Sequence, residues 1–171
     1  YLVDNLLNWA KSQHENFEVK TESVHLPALV DEVLDVMLSI AEAKKVNITS
    51  TIPADTIIKT DPDMLKLIMR NLISNAIKYS NEHGSVDIRS IEEHGNYIIS
   101  VRDTGKGLDK KAQERLLKKD HVFSNRERSS EGGSGLGLLL VKDFLQRLGG
   151  RLFIESEAGK GSTFSFSLPK N

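Results

Sequence analysis

The sequence predicts an α+β domain, a two-layer arrangement in which a mixed, mostly antiparallel sheet is covered by helices on one face. Three observations lead there. Segments alternating apolar and polar residues recur at Phe17–Val24, Val46–Ile52, Val86–Ile91, Tyr97–Val101, Arg151–Ser156 and Thr163–Leu168, and such alternation marks strands with one buried side. Between them lie longer runs with apolar residues three and four apart, the spacing of amphipathic helices. Short glycine-bearing turns at Gly95-Asn96 and Gly159-Lys160-Gly161 join two of the strand pairs as hairpins, which makes the sheet largely antiparallel.

Each element has a local reason. Leu2, Leu6, Leu7, Trp9 and Ala10 sit at helical spacing within residues 1–13, with no capping residue before them. Tyr1 is not an initiator Met, so the chain is expected to be a piece of a longer protein whose helix starts upstream. Phe17–Val24 follows as a strand. Pro27 opens a helix to about Lys45, with Leu29, Val30, Val33, Leu34, Met37, Ile40 and Ala41 on one face. Pro53 ends the next strand. Asp61-Pro62 is a cap with proline at the first helical position, so a helix runs from there to about Tyr79, stopping before the turn Asn81–Gly84. Its stripe of Leu65, Ile68, Leu72, Ala76 and Tyr79 suits a core. After the first hairpin, a helix is expected from Asp109 to about Lys118. Asp120–Ser134 is polar and without periodicity, the pattern of a mobile loop. An amphipathic helix, Leu136–Leu148, is closed by Gly149-Gly150.

Composition excludes several classes. The 171 residues carry 23 Lys+Arg against 24 Asp+Glu, a net charge of −1, so no basic footprint for nucleic acid exists. Hydrophobic residues at 39% and charged residues at 27% are ordinary globular usage. With no cysteine, disulfide scaffolds, thiolate zinc sites and cysteine nucleophiles are excluded. No apolar run reaches the roughly 18 residues of a membrane span, so this piece is not expected to contact a membrane.

Four features can carry chemistry. Asn71, Asn75 and Lys78 fall on one stripe of the Asp61 helix. A solvated polar face is the plain reading, yet asparagine is a poor helix former, and its amide oxygen suits Mg²⁺ while a nearby lysine suits phosphate. Asp103-Thr104-Gly105-Lys106-Gly107 directly follows a strand. It reads as a common tight turn, or as a carboxylate accepting a hydrogen bond from an amine, with Gly105 and Gly107 admitting a planar ring. Gly133-Ser134-Gly135-Leu136-Gly137 opens a helix, where bare backbone N–H groups favour anions. Leu138 stands where a Rossmann fingerprint needs glycine, and Gly159-Lys160-Gly161-Ser162 breaks the order of a Walker A loop.

Taken in order, these stretches resemble the ATP-binding domain of two-component sensor histidine kinases. Asn71-Leu72-Ile73-Ser74-Asn75-Ala76-Ile77-Lys78-Tyr79-Ser80 matches the family's N box, Asp103–Leu108 its G1 box, Gly133–Leu138 its G2 box, and Gly159–Phe164 the closing motif. The resemblance covers about residues 17–169. Residues 1–15 are similar to the end of the second helix of the dimerisation hairpin plus a linker, leaving 16–171 as the catalytic domain. Leu116–Phe123 matches the aromatic-rich F box only loosely.

The resemblance implies the Bergerat α/β sandwich, shared with Hsp90, gyrase B and MutL, and Mg-ATP as the ligand. By matching position, Asn75 would coordinate Mg²⁺ and Asn71 would support those contacts. Lys78 and Tyr79 would reach phosphate or line the nucleotide. Asp103 would bind the adenine amine with Thr163 helping through water, and Gly105 and Gly107 would give the ring room. Gly133, Gly135, Leu136 and Gly137 would hinge a lid and present amides to phosphate. The γ-phosphoryl group would pass to a histidine of the dimerisation domain. His14, His25, His83, His94 and His121 do not match that acceptor, so this piece is expected to bind ATP without autophosphorylating. The implied partners are the protein's own dimerisation domain, a second copy in a full-length homodimer, and a response-regulator receiver domain. The implied location is cytoplasmic, tethered to a membrane-anchored sensor. A water-activating Glu of the hydrolysing relatives is missing, since no Glu lies between Asp61 and Ser80. An ATPase or an anti-sigma-type serine kinase are the alternatives.

Overall fold

A computed structural model describes residues 18–118 and 136–170. Its strands are β1 (Glu22–His25), β2 (Asn47–Thr51), β3 (Ile57–Thr60), β4 (Ser85–Glu93), β5 (Asn96–Asp103), β6 (Arg151–Glu157) and β7 (Gly161–Pro169). Its helices are α1 (Leu26–Ala43), α2 (Pro62–Tyr79), α3 (Lys110–Leu117) and α4 (Leu136–Arg147).

Local chemistry sets the helix ends. His25 caps α1: its Nδ1 accepts from the Ala28 amide at 3.3 Å while Nε2 donates to the Ala54 carbonyl at 2.7 Å. Pro27 then sits in the first turn, where its missing N–H costs nothing. The helix closes in a Schellman turn: the amides of Val46 and Lys45 bond the carbonyls of Ala41 and Glu42, both at 2.9 Å. That turn forces Lys45 into the left-handed region at φ +57°. Asp61 caps α2 through Oδ1 to the amides of Asp63 and Met64, at 3.1 and 3.0 Å. Gly149, at φ +72°, ends α4 in a second Schellman turn.

The main sheet is five-stranded, in the order β2-β4-β5-β7-β6. Its pairs are antiparallel except β2 with β4. Parallel neighbours need a crossover, and α2 provides it, which lays this helix across the sheet. Val86, Ile88, Ile99, Val101, Phe166 and Leu168 point to the covered side and are buried in one core with residues of α1, α2 and α4. Arg89, Ser100, Arg102 and Ser165 alternate to the open side. The expected fold class is therefore the observed one.

Three local expectations shift. The first strand is four residues at Glu22–His25 rather than Phe17–Val24, and it pairs with β3 in a separate two-stranded ribbon. β3 was not expected, because four residues are too few to show a period. The first hairpin turns on His94 and Gly95, both at positive φ, one residue earlier than Gly95-Asn96. Ile40, expected in the core, is 55% exposed, while its neighbours Met37 and Ala41 are buried. The helix of residues 1–13 and the polar loop lie outside the described residues. No helix among the described residues is long and apolar enough to cross a membrane.

Candidate nucleotide site

The last two turns of α2, the end of β5, the first turn of α4 and the start of β7 meet at one end of the sheet. Along α2 the polar stripe grades outward: Asn71 is buried, Asn75 half-buried and Lys78 exposed. Asn71 donates from Nδ2 to the Leu67 carbonyl one turn back at 2.9 Å. Its Oδ1 faces α4, where a Cβ on Gly137 would come within 2.4 Å of it. Glycine at 137 therefore lets the first turn of α4 close on the polar stripe. Leu136, at the start of that helix, is half-buried beside it.

Asp103 ends β5 on the covered face and is 4% exposed. Burial pushes its carboxyl above the ordinary carboxylate value, opposed by hydrogen bonds from the backbone N–H groups of Gly105 and Ser162. The Gly105 amide reaches Oδ1 at 2.8 Å. A Cβ on Gly105 would lie 2.1 Å from the Tyr79 carbonyl, and Gly105 bridges to Ser80. Gly107, at φ +65°, passes so close to the Glu157 carbonyl that a Cβ would sit 1.9 Å from it. The glycines of this turn thus serve chain-to-chain contact: they knit the end of β5 to α2 on one side and to the β6–β7 turn on the other.

Hydroxyl groups complete that seam. Ser156 Oγ accepts from the Leu108 amide at 2.8 Å and pairs with Ser162 Oγ at 2.8 Å. Near the exposed end, the ammonium groups of Lys78 and Lys106 stand 4.9 and 5.0 Å from the centre of the Tyr79 ring. The arrangement is polarised, with a buried carboxylate at Asp103 and exposed cations at Lys78 and Lys106. On α4, Lys142 donates to the Lys118 carbonyl after α3 at 2.8 Å, and burial lowers its basicity.

The structure thus gathers Asn71, Asn75, Lys78, Tyr79, Asp103, Gly105, Gly107, Leu136 and Gly137 at one end of the sheet. Gly133 and Gly135 lie outside the described residues, as do Phe123, His14 and His121. Thr163 is placed differently from the expectation. It pairs with Arg102 and Glu155 and lies on the open face, whereas Ser162 pairs directly with Asp103. A shift of one residue along a strand exchanges faces, so the hydroxyl beside Asp103 belongs to Ser162. Counting the alternation back from buried Phe166 and half-buried Phe164 would have found it. His83 and His94 are exposed turn residues at positive φ, and His25 is occupied as a cap.

The donor set fits a magnesium nucleotide. Mg²⁺ keeps several waters and takes few protein ligands when phosphates complete its shell. A half-buried amide oxygen at Asn75 suits such a sparse protein contribution.

The family model for histidine kinase-, DNA gyrase B- and HSP90-like ATPases matches residues 60–171. The chain is 30% identical over 176 residues to the sensor protein EvgS of Escherichia coli strain K12, covering 98% of this chain and 14% of EvgS. It is 31% identical over 173 residues to the sensor histidine kinase WalK of Bacillus subtilis strain 168, covering 98% of this chain and 28% of WalK. It thus spans under a third of either relative. Among solved structures, full-length ShkA in complex with AMPPNP superposes with a TM-score of 0.82 at 28% identity, over 98% of this chain and 35% of that one. The chain belongs to the histidine kinase-, DNA gyrase B- and HSP90-like ATPase family, with sensor histidine kinases as its relatives.

Proposed function

We propose that this chain binds Mg-ATP and donates the γ-phosphoryl group to a histidine on a dimerisation domain, in two-component signal transduction. The observation that carries this reading is the enclosed Asp103 carboxylate, held by backbone amides at the strand end beside the graded Asn75–Lys78 stripe. Asp103 accepts a hydrogen bond from the adenine amine, and Ser162 is the hydroxyl nearest to assist. Asn75 offers its amide oxygen to Mg²⁺. Lys78 and Tyr79 reach the phosphates or line the nucleotide, and Asn71 supports α4 through Gly137. Mg²⁺, when bound, neutralises charge on the transferring phosphoryl group, the main demand of this chemistry.

In this reading residues 1–15 end the dimerisation hairpin and 16–171 form the catalytic domain. The acceptor histidine is supplied by another segment, so the piece itself does not autophosphorylate. A homodimer, a receiver-domain partner and a cytoplasmic location beside a membrane-anchored sensor follow. Hydrolysis is disfavoured by the absence of any Glu in α2.

Titration with Mg²⁺ and a fluorescent ATP analogue tests this reading. The wild type should bind, and Asn75→Ala and Asp103→Ala should weaken binding tenfold or more, about 1.4 kcal/mol. A wild type that does not bind overturns the proposal. Steady phosphate release would favour the ATPase reading. A stable phosphoserine product, when a histidine-bearing dimerisation domain is supplied, would favour the serine kinase.

A further inference from the structure

The C-terminal end of α2 faces an accounting problem that every helix has: its last carbonyls lack intrahelical partners. Here each of the last four finds one. The Ala76 carbonyl accepts from the Ser80 amide at 3.0 Å and from Ser80 Oγ at 2.7 Å. The Tyr79 carbonyl accepts from the Lys106 amide at 3.3 Å. The two between them, Ile77 and Lys78, are both served by one side chain from outside the helix, the ammonium of Lys44. Its bond to the Ile77 carbonyl measures 3.0 Å.

Lys44 is held in place to do this. It is the last residue before the left-handed Lys45 in the Schellman turn that closes α1. A non-glycine residue in that region costs on the order of 1 kcal/mol; the strain falls on Lys45, while Lys44 itself keeps ordinary helical backbone at φ −95° and is held at a defined position by the turn. Lys45 adds a second link to the same region through an ion pair with Glu82 at 2.7 Å. The ammonium also meets the negative end of the α2 dipole, where a cation is favoured. Two of the residues assigned to the nucleotide, Lys78 and Tyr79, occupy the turn so capped. The neighbouring Ser80–Gly105 bridge extends the same rigid unit to the turn that carries Asp103.

From this geometry we infer that Lys44 is a positioning residue for the nucleotide site. It acts through the helix carbonyls it caps. It fixes the last turn of α2, and through it the relation between Lys78, Tyr79 and the Asp103 turn. The inference rests on the proposed nucleotide binding.

The test compares wild type, Lys44→Met and Lys44→Arg at a temperature where circular dichroism shows each to be folded. Affinity for the fluorescent ATP analogue with Mg²⁺ is measured, along with amide hydrogen exchange. Lys44→Met keeps the aliphatic length and removes the donors; it should weaken binding about five- to tenfold and speed exchange at Ser80 and Lys106. Lys44→Arg, which retains paired donors, should restore affinity to within about twofold. A role confined to stability would lower the melting temperature and leave the affinity of folded protein unchanged, and that result overturns the inference. If Lys44→Met does not fold, Lys44→Gln takes its place under the same criteria. Wild-type protein that binds no nucleotide overturns the proposed function and the positioning role together. Wild-type binding with an equally tight Lys44→Met variant overturns the positioning role alone.

Discussion

Asp103 is buried among residues that otherwise form a hydrophobic core, between Val86 on one neighbouring strand and Ser162 on the other. Burial disfavours its charged form, and the Gly105 and Ser162 amides recover only part of that cost, so its carboxyl holds a proton to higher pH than in the unfolded chain. The sign for stability follows. Between the ordinary carboxylate value and the raised folded value, the native state binds the extra proton, so this group's contribution falls as pH rises and is level above that window. Asp103→Asn removes the titration. Urea denaturation from about pH 3 to pH 7 should show the variant gaining on the wild type as pH rises, chiefly near and just above the ordinary carboxylate value around 3.9. At pH 7 the same variant should bind nucleotide at least tenfold more weakly, since loss of a charge-assisted hydrogen bond is worth about 1.5–3 kcal/mol. A stability difference that does not change with pH would remove Asp103 from the titration argument.

Helices α2 and α4 meet where Gly137 passes Asn71, and that contact decides how far the start of α4 can approach the polar stripe. A methyl group at 137 would stand 2.4 Å from Asn71 Oδ1, well inside contact distance, and Asn71 is itself tied back to Leu67. Gly137→Ala should therefore destabilise by about 1–3 kcal/mol through overpacking, less any gain from better helix propensity. Asn71→Ala in the same chain removes the obstructing oxygen. A double-mutant cycle read by thermal melting should give a coupling of about 1 kcal/mol or more in the direction of relief. Additivity would show that the two helices do not meet through this pair. Cap chemistry fixed the ends of α2 in sequence, but nothing in either helix taken alone indicates which small residue faces which amide.

For the molecule as a whole, nucleotide binding and folding are linked by mass action. Mg²⁺ with an ATP analogue at about a hundredfold excess over its dissociation constant should add roughly 2.7 kcal/mol. That raises the melting temperature of a domain this size by about 5–10 °C. Asp103→Asn should lose most of the shift, and a wild type whose melting point does not respond would contradict the proposed site. Most of the strands, the four described helices and the motifs from which the site is proposed were legible in the sequence because they rest on local chemistry: alternation, helical spacing, Asp61-Pro62 and the glycine turns act on near neighbours. Other features were not legible. β3 is too short to carry a period and depends on β1, some 35 residues earlier in register. Ser162 replaced Thr163 because facing depends on strand register, which a turn position predicts only to within a residue. Lys44 gave no local signal, since its partners Ile77 and Lys78 lie more than thirty residues away. The sequence by itself determined the elements, the glycine turns and the family pattern, all products of short-range sterics and hydrogen bonding. Only the tertiary structure decided which hydroxyl faces Asp103, which amide meets Gly137 and which lysine closes α2, because those contacts form when distant segments pack together.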